Sequence, residues 1–429
     1  MFDNKNIFFQ KKILIYGLGK SGLAAYKFLK KRNKIYLYDD NKNNKIKRNF
    51  IKVKEIPKKK IDFIIISPGI DINKCKLSKF LKKNLKKINT DLDIFYNFYY
   101  KNTNITITGT NGKSTTVQIL YEVLKQKKID VRLVGNIGNP ILSEKNITNK
   151  TIFVIEASSY QLEYSKLFKS NIAAIINISP DHLERHKTIK NYIKAKFKLI
   201  KNQTKKDYAI LNTGNYHIKK HLTKQKFKSK IIKISKKLNP IVLKKLNNPY
   251  FMTDGNKENL LFVIQILKIL KIKKRNLFQK LKKFNGLKYR QQIIFKSKNL
   301  TIINDSKATS FSSSSSVLKS LSDVFWVVGG QPKKGDKFLL SKNQCKSFKA
   351  YIFGKNKSFF VKKIKNVMKY ESFSNLKCLI KKIFLDIEDN KHQTILFSPA
   401  SASFDSFKNF EERGIYFNNL VSEFRNVKQ

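Results

Sequence analysis

Ile105-Thr106-Ile107-Thr108 runs directly into Gly109-Thr110-Asn111-Gly112-Lys113-Ser114-Thr115, and an amphipathic segment follows. A β-prone run, a glycine-rich turn and a helix start, in that order, form the unit from which parallel α/β sheets are built. The turn also carries chemistry. Its glycines let backbone N–H groups approach phosphate oxygens, and the helix N-terminus behind them adds positive potential. Lys113 is suited to pair with β/γ-phosphates, and Ser114 or Thr115 to ligate Mg²⁺. The full phosphate-loop pattern has a further glycine where this chain has Ile107, so the loop is a shortened variant.

The same alternation extends in both directions. Towards the N-terminus, Ile13–Tyr16 reads as a strand, Ser21–Lys31 as a helix, and Ile35–Tyr38 as a strand ending at Asp39 and Asp40. Between the first two lies Gly17-Leu18-Gly19-Lys20-Ser21-Gly22. With Asp39 about twenty residues on, this matches a dinucleotide fingerprint, although the same turn can hold the phosphates of any nucleotide. A further strand, Phe63–Ile66, meets the turn Ser67-Pro68-Gly69. Asn97–Asn104 is polar and aromatic without apolar periodicity and marks the first boundary. Towards the C-terminus, strands are expected at Ile152–Glu156, Ile175–Ile178 and Tyr208–Leu211, with a helix around Leu260–Ile272. After a turn at Asn285-Gly286, a third series contains Ile302-Ile303, Phe325–Val328, Tyr351–Phe353 and Ile395–Phe397. The serine run Ser312–Ser316 reads as the start of a helix. The expected fold is α/β in three domains, residues 1–97, 98–286 and 287–429.

Length agrees, since 429 residues at roughly 150 per domain give about three. Hydrophobic residues at 41% and aromatics at 12% exclude a disordered or fibrous chain. No apolar run approaches the ~18 residues of a membrane span, and no basic-then-apolar leader opens the chain. Cys75, Cys345 and Cys378 lie too far apart in sequence for a paired framework. A cytoplasmic protein without a membrane partner is expected. Ninety basic and 29 acidic residues give +61. The cations are mostly lysines, spread along the chain among Ile, Asn, Phe and Tyr, as AT-rich codons would produce. No nucleic-acid reading motif accompanies them, so weak polyanion binding is expected but no specific nucleic-acid partner.

Two further motifs follow expected strands and would emerge at the same sheet edge as the Lys113 loop. In Glu156-Ala157-Ser158-Ser159, Glu156 is a hard oxygen donor suited to Mg²⁺. In Ser179-Pro180-Asp181-His182, His182 is a candidate second ligand.

Together with Asn304-Asp305-Ser306-Lys307-Ala308-Thr309 and the long run Ser398-Pro399-Ala400-Ser401-Ala402-Ser403-Phe404-Asp405 continuing to Gly414, these motifs resemble the Mur ligase family, the amino-acid ligases that build peptidoglycan. The last two stretches are most similar to its D-glutamate-adding branch. The resemblance spans Gly17 to Gly414 and implies a Rossmann-like N-terminal domain, a central P-loop ATPase domain and a Rossmann-like C-terminal domain. It implies ATP and Mg²⁺ as cofactors, with UDP-N-acetylmuramoyl-L-alanine and D-glutamate as the substrates of a monomer. Cell-wall synthesis, cell shape and division would depend on it.

Residue by residue, the resemblance implies the following. Gly109, Thr110, Asn111, Gly112, Lys113, Ser114, Thr115, Asn259, Arg290 and Asp305 bind ATP. Gly17, Gly19, Lys20, Ser21, Asp39, Ser67, Pro68 and Gly69 hold the uridine diphosphate end, and Asn136, Ser158, Gln161 and His182 the muramoyl-alanine arm. Ser114, Glu156, His182 and Lys196 serve the metal, with Lys196 carbamylated by CO₂. Lys113, His182 and Lys196 are catalytic. Thr309, Lys333 (or its neighbour Lys334), Ser403 and Phe410 take D-glutamate. Where the family often has Arg, two residues beyond Asp39, this chain has Asn41, and Gly255 and Tyr289 replace two customary histidines. An NAD-dependent dehydrogenase would use residues 17–22 but leaves the Lys113 loop unexplained. Sibling ligases for other amino acids share Lys113 and Glu156.

Overall fold

A computed structural model describes residues 6–41, 49–235, 238–333, 335–388 and 390–426. Residues 1–5, where a leader would begin, and Lys334 lie outside these.

Three sheets organise the described residues. The first has the order β2-β1-β3-β4, from Lys12–Tyr16 (β1), Lys34–Tyr38 (β2), Phe63–Ile66 (β3) and Ile88–Asn89 (β4), all parallel. The second has the order β10-β9-β8-β5-β7-β6. Its strands are Asn104–Thr108 (β5), Val131–Gly135 (β6), Ile152–Glu156 (β7), Ile172–Ile175 (β8), Tyr208–Asn212 (β9) and Lys230–Ile234 (β10), again all parallel. The third is ordered β11-β12-β16-β13-β14-β15. It contains Gln292–Lys296 (β11), Leu300–Asn304 (β12), Val324–Gly329 (β13), Phe348–Phe353 (β14), Lys369–Phe373 (β15) and Gln393–Phe397 (β16). Only β11 runs antiparallel to its neighbour. The α/β architecture of mostly parallel sheets expected from the sequence is what the described residues adopt, and the antiparallel β11, which makes the third sheet mixed, was not expected.

Inner strands such as β5 and β16 are buried at every position, as a strand covered on both faces must be. The sequence reading missed the short edge strand β4 and the edge strands β6 and β11, and it missed β10 and β15 as well. The segments of β10 and β15, Lys-Ile-Ile-Lys-Ile and Lys-Tyr-Glu-Ser-Phe, carry charge at every second or third position, and charged side chains guard unpaired edges.

Two compact units emerge, residues 1–236 with 261–276, and residues 237–260 with 277–429. The first two sheets share a unit because one apolar core runs from Ile13 and Ile15 through Leu92 and Phe95 to Phe153 and Ile155. The segment expected to be an irregular boundary, Asn97–Asn104, instead ends the helix Asp91–Tyr99 and enters β5. Buried Asp93 fixes that helix. One carboxylate oxygen accepts from Ser165 Oγ and from the N–H groups of Lys166, Leu167 and Phe168, at 2.8–3.1 Å.

Two other expectations shift. β8 ends at Ile175 rather than Ile178, because Asn177 leaves the ladder to brace the loop at Thr110. The helix expected at Leu260–Ile272 spans Asp254–Ile269. It begins beside Thr253, whose Oγ accepts from Asn256 N–H, and stops before Lys271, where φ is positive. The serine run lies inside the helix Phe311–Leu318, as expected, with Ser310 as its cap. No helix among the described residues is long and apolar enough to cross a membrane.

Candidate functional site

The loop 109–112 leaves the C-terminal end of the inner strand β5 and enters the helix Lys113–Gln126. Gly112 caps that helix at φ +82°, in the left-handed region that a Cβ disfavours. Around it, Thr110 N–H donates to Asn177 O, and Asn111 N–H to Asn177 Oδ1, both at 2.9 Å. Thr110 Oγ1 accepts from Ser179 N–H at 3.0 Å and lies 3.1 Å from the Tyr192 hydroxyl. The end of β8 therefore clamps the loop.

Two lysines meet on one carbonyl. Lys113 Nζ donates to Gly109 O and Thr110 O, each at 2.8 Å. Lys196 Nζ donates to the same Gly109 O at 2.8 Å and stands 4.6 Å over the Tyr192 ring. Lys196 lies on the helix Ile189–Lys201 and is 1% exposed. Burial, reinforced by the charge of Lys113, pushes its pKa well below the usual lysine value, against the opposing pull of Asp181 and Glu156. Its neighbours differ. Lys194 is exposed and Lys198 donates to Glu163 O.

Glu156 ends β7 and is 1% exposed. Asn136 Nδ2 donates to its Oε1 at 2.6 Å, while Oε2 is buried without a hydrogen-bond partner. A carboxyl oxygen left bare in the interior is costly unless a partner reaches it. That orphaned oxygen near loop 109–112 would fit Mg²⁺, which prefers one or two carboxylates together with phosphate oxygens. Ser114 and Thr115 are buried in the first turn of the Lys113 helix. His182 takes a left-handed conformation (φ +55°). Its Nδ1 lies 2.8 Å from the Tyr160 hydroxyl, and its Nε2 3.5 Å from Asp181. His186 is buried against Ser159 Oγ at 3.0 Å, and burial, then the nearby cations, lowers its pKa to about 4. Ser158 and Gln161 bond each other as a helix capping box.

On the first sheet, the turn at residues 17–22 again joins a strand to a helix, Lys20–Leu29. Asp39 accepts from Leu18 N–H at 2.5 Å and from Asn41 N–H at 2.8 Å, so this acid braces the turn. Ser67 Oγ donates to Gly17 O at 2.6 Å, bringing the Ser67-Pro68-Gly69 turn alongside Gly17. Lys20 and Ser21 open the helix, which has no acid in its first turn.

In the other unit, the residues expected for D-glutamate gather at the carboxyl ends of the parallel strands, where α/β folds bind ligands. Thr309 follows β12, Lys333 follows β13, and Ser403 and Phe410 follow β16. Arg413, fully buried, ties these loops. It donates to Ser306 Oγ and O at 3.1 and 2.6 Å, Ser401 O at 3.0 Å and Ala402 O at 3.3 Å. Phe410 starts the helix Phe410–Asn426, and Lys307 Nζ lies 3.9 Å from its ring centroid. Asp305 accepts from Ser398 Oγ at 3.0 Å and Gln291 N–H at 3.1 Å, and burial raises its pKa to about 7. Arg290 sits between two residues of positive φ, Tyr289 and Gln291. Asn259 donates to Asn256 Oδ1 at 3.3 Å and leaves its own Oδ1 buried and unpartnered, an acceptor waiting for a donor.

The sequence reading assigned no role to Asn177, Tyr192, His186 or Arg413. Each has at least one distant partner, as in Ser159–His186, 27 positions apart, and Ser306–Arg413, 107 apart, and no spacing rule connects such pairs. The only available signal was their position inside or beside motifs already singled out.

A family model described as the Mur ligase middle domain matches residues 107–269. A UDP-N-acetylmuramoylalanine–D-glutamate ligase of Rickettsia felis is 33% identical, the match covering 96% of this chain and 97% of that one. A ligase of the same name from Caldicellulosiruptor bescii is 32% identical over 96% and 98%. Among solved structures, the UDP-N-acetylmuramate-alanine ligase of Thermotoga maritima matches with a TM-score of 0.54 at 17% identity, over 98% of this chain and 100% of that one. The MurF ligase of the same organism, in complex with ADP, matches at 0.55 and 13% identity, over 99% and 100%. At those identities the structural likeness speaks for the fold.

Proposed function

The chain belongs to the Mur ligase family, ATP-dependent enzymes of peptidoglycan precursor synthesis, and from that premise we propose that it joins D-glutamate to UDP-N-acetylmuramoyl-L-alanine. The observation that carries this reading is the full-length match, above 30% identity, to ligases of that name.

The alanyl carboxylate attacks the γ-phosphorus of ATP, ADP leaves, and an acyl phosphate forms. Such transfers depend on positioning and charge neutralisation more than on covalent help from the protein. Loop 109–112 offers backbone donors to the phosphates, and Lys113 exchanges the carbonyls of Gly109 and Thr110 for phosphoryl oxygens. Glu156, with Ser114 and His182, would hold Mg²⁺, which when bound neutralises charge on the phosphates. Lys196, whose pKa burial pushes well below the usual lysine value, is the lysine that adds CO₂ through its neutral amine. The nitrogen lone pair attacks the carbon, the ammonium proton is lost, and a carbamate carboxylate results. That converts a cation that would repel a metal into an oxygen donor.

The D-glutamate amine then attacks the acyl carbon, loses a proton, and phosphate departs from the tetrahedral intermediate. Thr309, Lys333, Ser403 and the backbone at Phe410 supply the donors and charge that two carboxylates require, on loops pinned by Arg413. The turn at 17–22 with Ser67-Pro68-Gly69 holds the uridine diphosphate end, and Asn259, Arg290 and Asp305 the adenosine. The reading places the work in the cytoplasm and calls for no membrane, nucleic acid or second subunit.

Phosphate release from ATP should require UDP-N-acetylmuramoyl-L-alanine and D-glutamate together. Release with L-lysine or diaminopimelate in place of D-glutamate would move the chain to a sibling branch.

A further inference from the structure

Residues 188–235 contain fourteen lysines and a single acid, Asp207. Part of this density comes from one face of the first unit. The helix Tyr216–Leu222 stands between two grooves. One, of about 410 Å³, lies between this helix and Ile189–Lys201 and is lined by Lys190, Lys194, Lys220, Lys224, Tyr216 and His217, with Ile189 and Ile193 in its wall. The other, of about 690 Å³, lies towards the edge strand β10 and is lined by Lys219, Lys226 and Lys233 around Phe227. Neither lining includes an Asp or Glu among the described residues. Tyr216 is 64% exposed, with Lys220 Nζ 3.0 Å from its hydroxyl and 5.4 Å from its ring centroid.

Codon bias accounts for many lysines but not for this arrangement. Some lysines elsewhere pair with acids across the fold, as Lys349 with Glu371 and Asp386, or Lys377 with Glu423, and acid-free lysine-rich runs also occur at 259–304 and 337–370, so the distinction here is concavity and rings rather than charge density. Here cations line the walls of two concave tracks and planar rings project from the ridge between them. A polyanion answers the walls, and stacked planar groups answer the rings. Single-stranded nucleic acid offers both, as phosphates at regular spacing and bases with π-faces. A flat anionic bilayer meets the lysines but not the concavity. We propose that this face binds single-stranded nucleic acid, without sequence preference and independently of the ligase reaction. Lysines take the phosphates as point charges, and Tyr216 provides a stacking platform.

The test uses the full chain and a fluorescein-labelled twelve-residue oligothymidylate, read by anisotropy between 50 and 200 mM salt. Changing Lys190, Lys194, Lys220 and Lys224 together to Gln should weaken binding at least about tenfold. It should also flatten the slope of log affinity against log salt by about 3, at ~0.7 per single-strand phosphate contact. The control changes the exposed Lys342, Lys346, Lys362 and Lys365 to Gln, which removes equal charge from the other unit, and should cost no more than about twofold. Tyr216→Ala should weaken binding roughly 5- to 100-fold with the slope unchanged. Ligase turnover should stay at the wild-type level in every variant, so a failed ligase assignment would leave this result standing. Equal losses in the two lysine sets would reduce the effect to net charge and overturn the proposal. So would unchanged oligonucleotide binding by the groove variant alongside lost binding to phosphatidylglycerol vesicles, which would make the partner a membrane.

Discussion

Residues 17–22 and 109–115 both turn a parallel strand into a helix through glycine, yet charges of opposite sign hold the two turns. At the first, Asp39 accepts from the Leu18 N–H, so a carboxylate braces the turn from within. At the second, two lysine side chains converge on Gly109 O, and the nearby bare oxygen belongs to Glu156. A glycine-rich turn establishes that a ligand can approach the backbone. The neighbouring side chains decide which ligand, and of these two turns the second brings two lysines onto one carbonyl, the charge that the proposed phosphoryl transfer would use.

The sharpest way to break this contrast is to remove one lysine from each turn. Lys113→Ala should reduce ATP-dependent phosphate release roughly 10²–10³-fold, the usual effect of losing one preorganised charge stabiliser. Lys20→Ala should leave kcat near wild type and raise the KM of the UDP substrate about tenfold, the loss of one charge-assisted hydrogen bond. Equal effects on kcat would mean that the turns are not specialised.

Lys196→Ala should fall nearly as far as Lys113→Ala, whereas Lys194→Ala, at an exposed position, should lose little. Short carboxylic acids should restore part of the activity by supplying the missing oxygen donor. Full turnover of Lys196→Ala without added acid would sink the carbamate. Within the first turn, the glycines should separate. A Cβ on Gly22 would lie 1.9 Å from Gly17 O, whereas one on Gly19 meets nothing within 4 Å. Gly22→Ala should therefore destabilise the fold by about 1–3 kcal/mol in denaturant titration, and Gly19→Ala by much less. The smallest effect concerns pH. His186 binds its proton near pH 6.5 when unfolded but only near 4 when folded. Between those values the unfolded state holds more protons, so stability should fall as pH drops from about 6.5 to 4. His186→Gln should flatten that slope.

The alternation of β-prone runs with helices, the Lys113 loop and the order of the motifs were legible without coordinates, because hydrophobic periodicity and turn chemistry are local. Edge strands such as β10 were not, since their lysines mask the apolar pattern. Nor was the helix at Asp91–Tyr99, where buried polar groups stand in for apolar ones. At the site, Gly109 to Thr115 and Glu156 could be singled out because each follows a strand directly. Asn177 could not be, because its role is to brace the loop at Thr110 and Asn111 from beyond the end of β8, which stops three residues earlier than expected.

By itself the sequence determined the family, the sheet-building units and the residue types present at each sheet edge. Tertiary structure alone decided that Lys196, one lysine among many, is buried beside Lys113 with a lowered pKa, while Lys194 two positions away remains in water. Burial and electrostatic coupling are sums over neighbours brought together from distant parts of the chain. Identical side chains can therefore have opposite chemistry, and no local pattern records which is which.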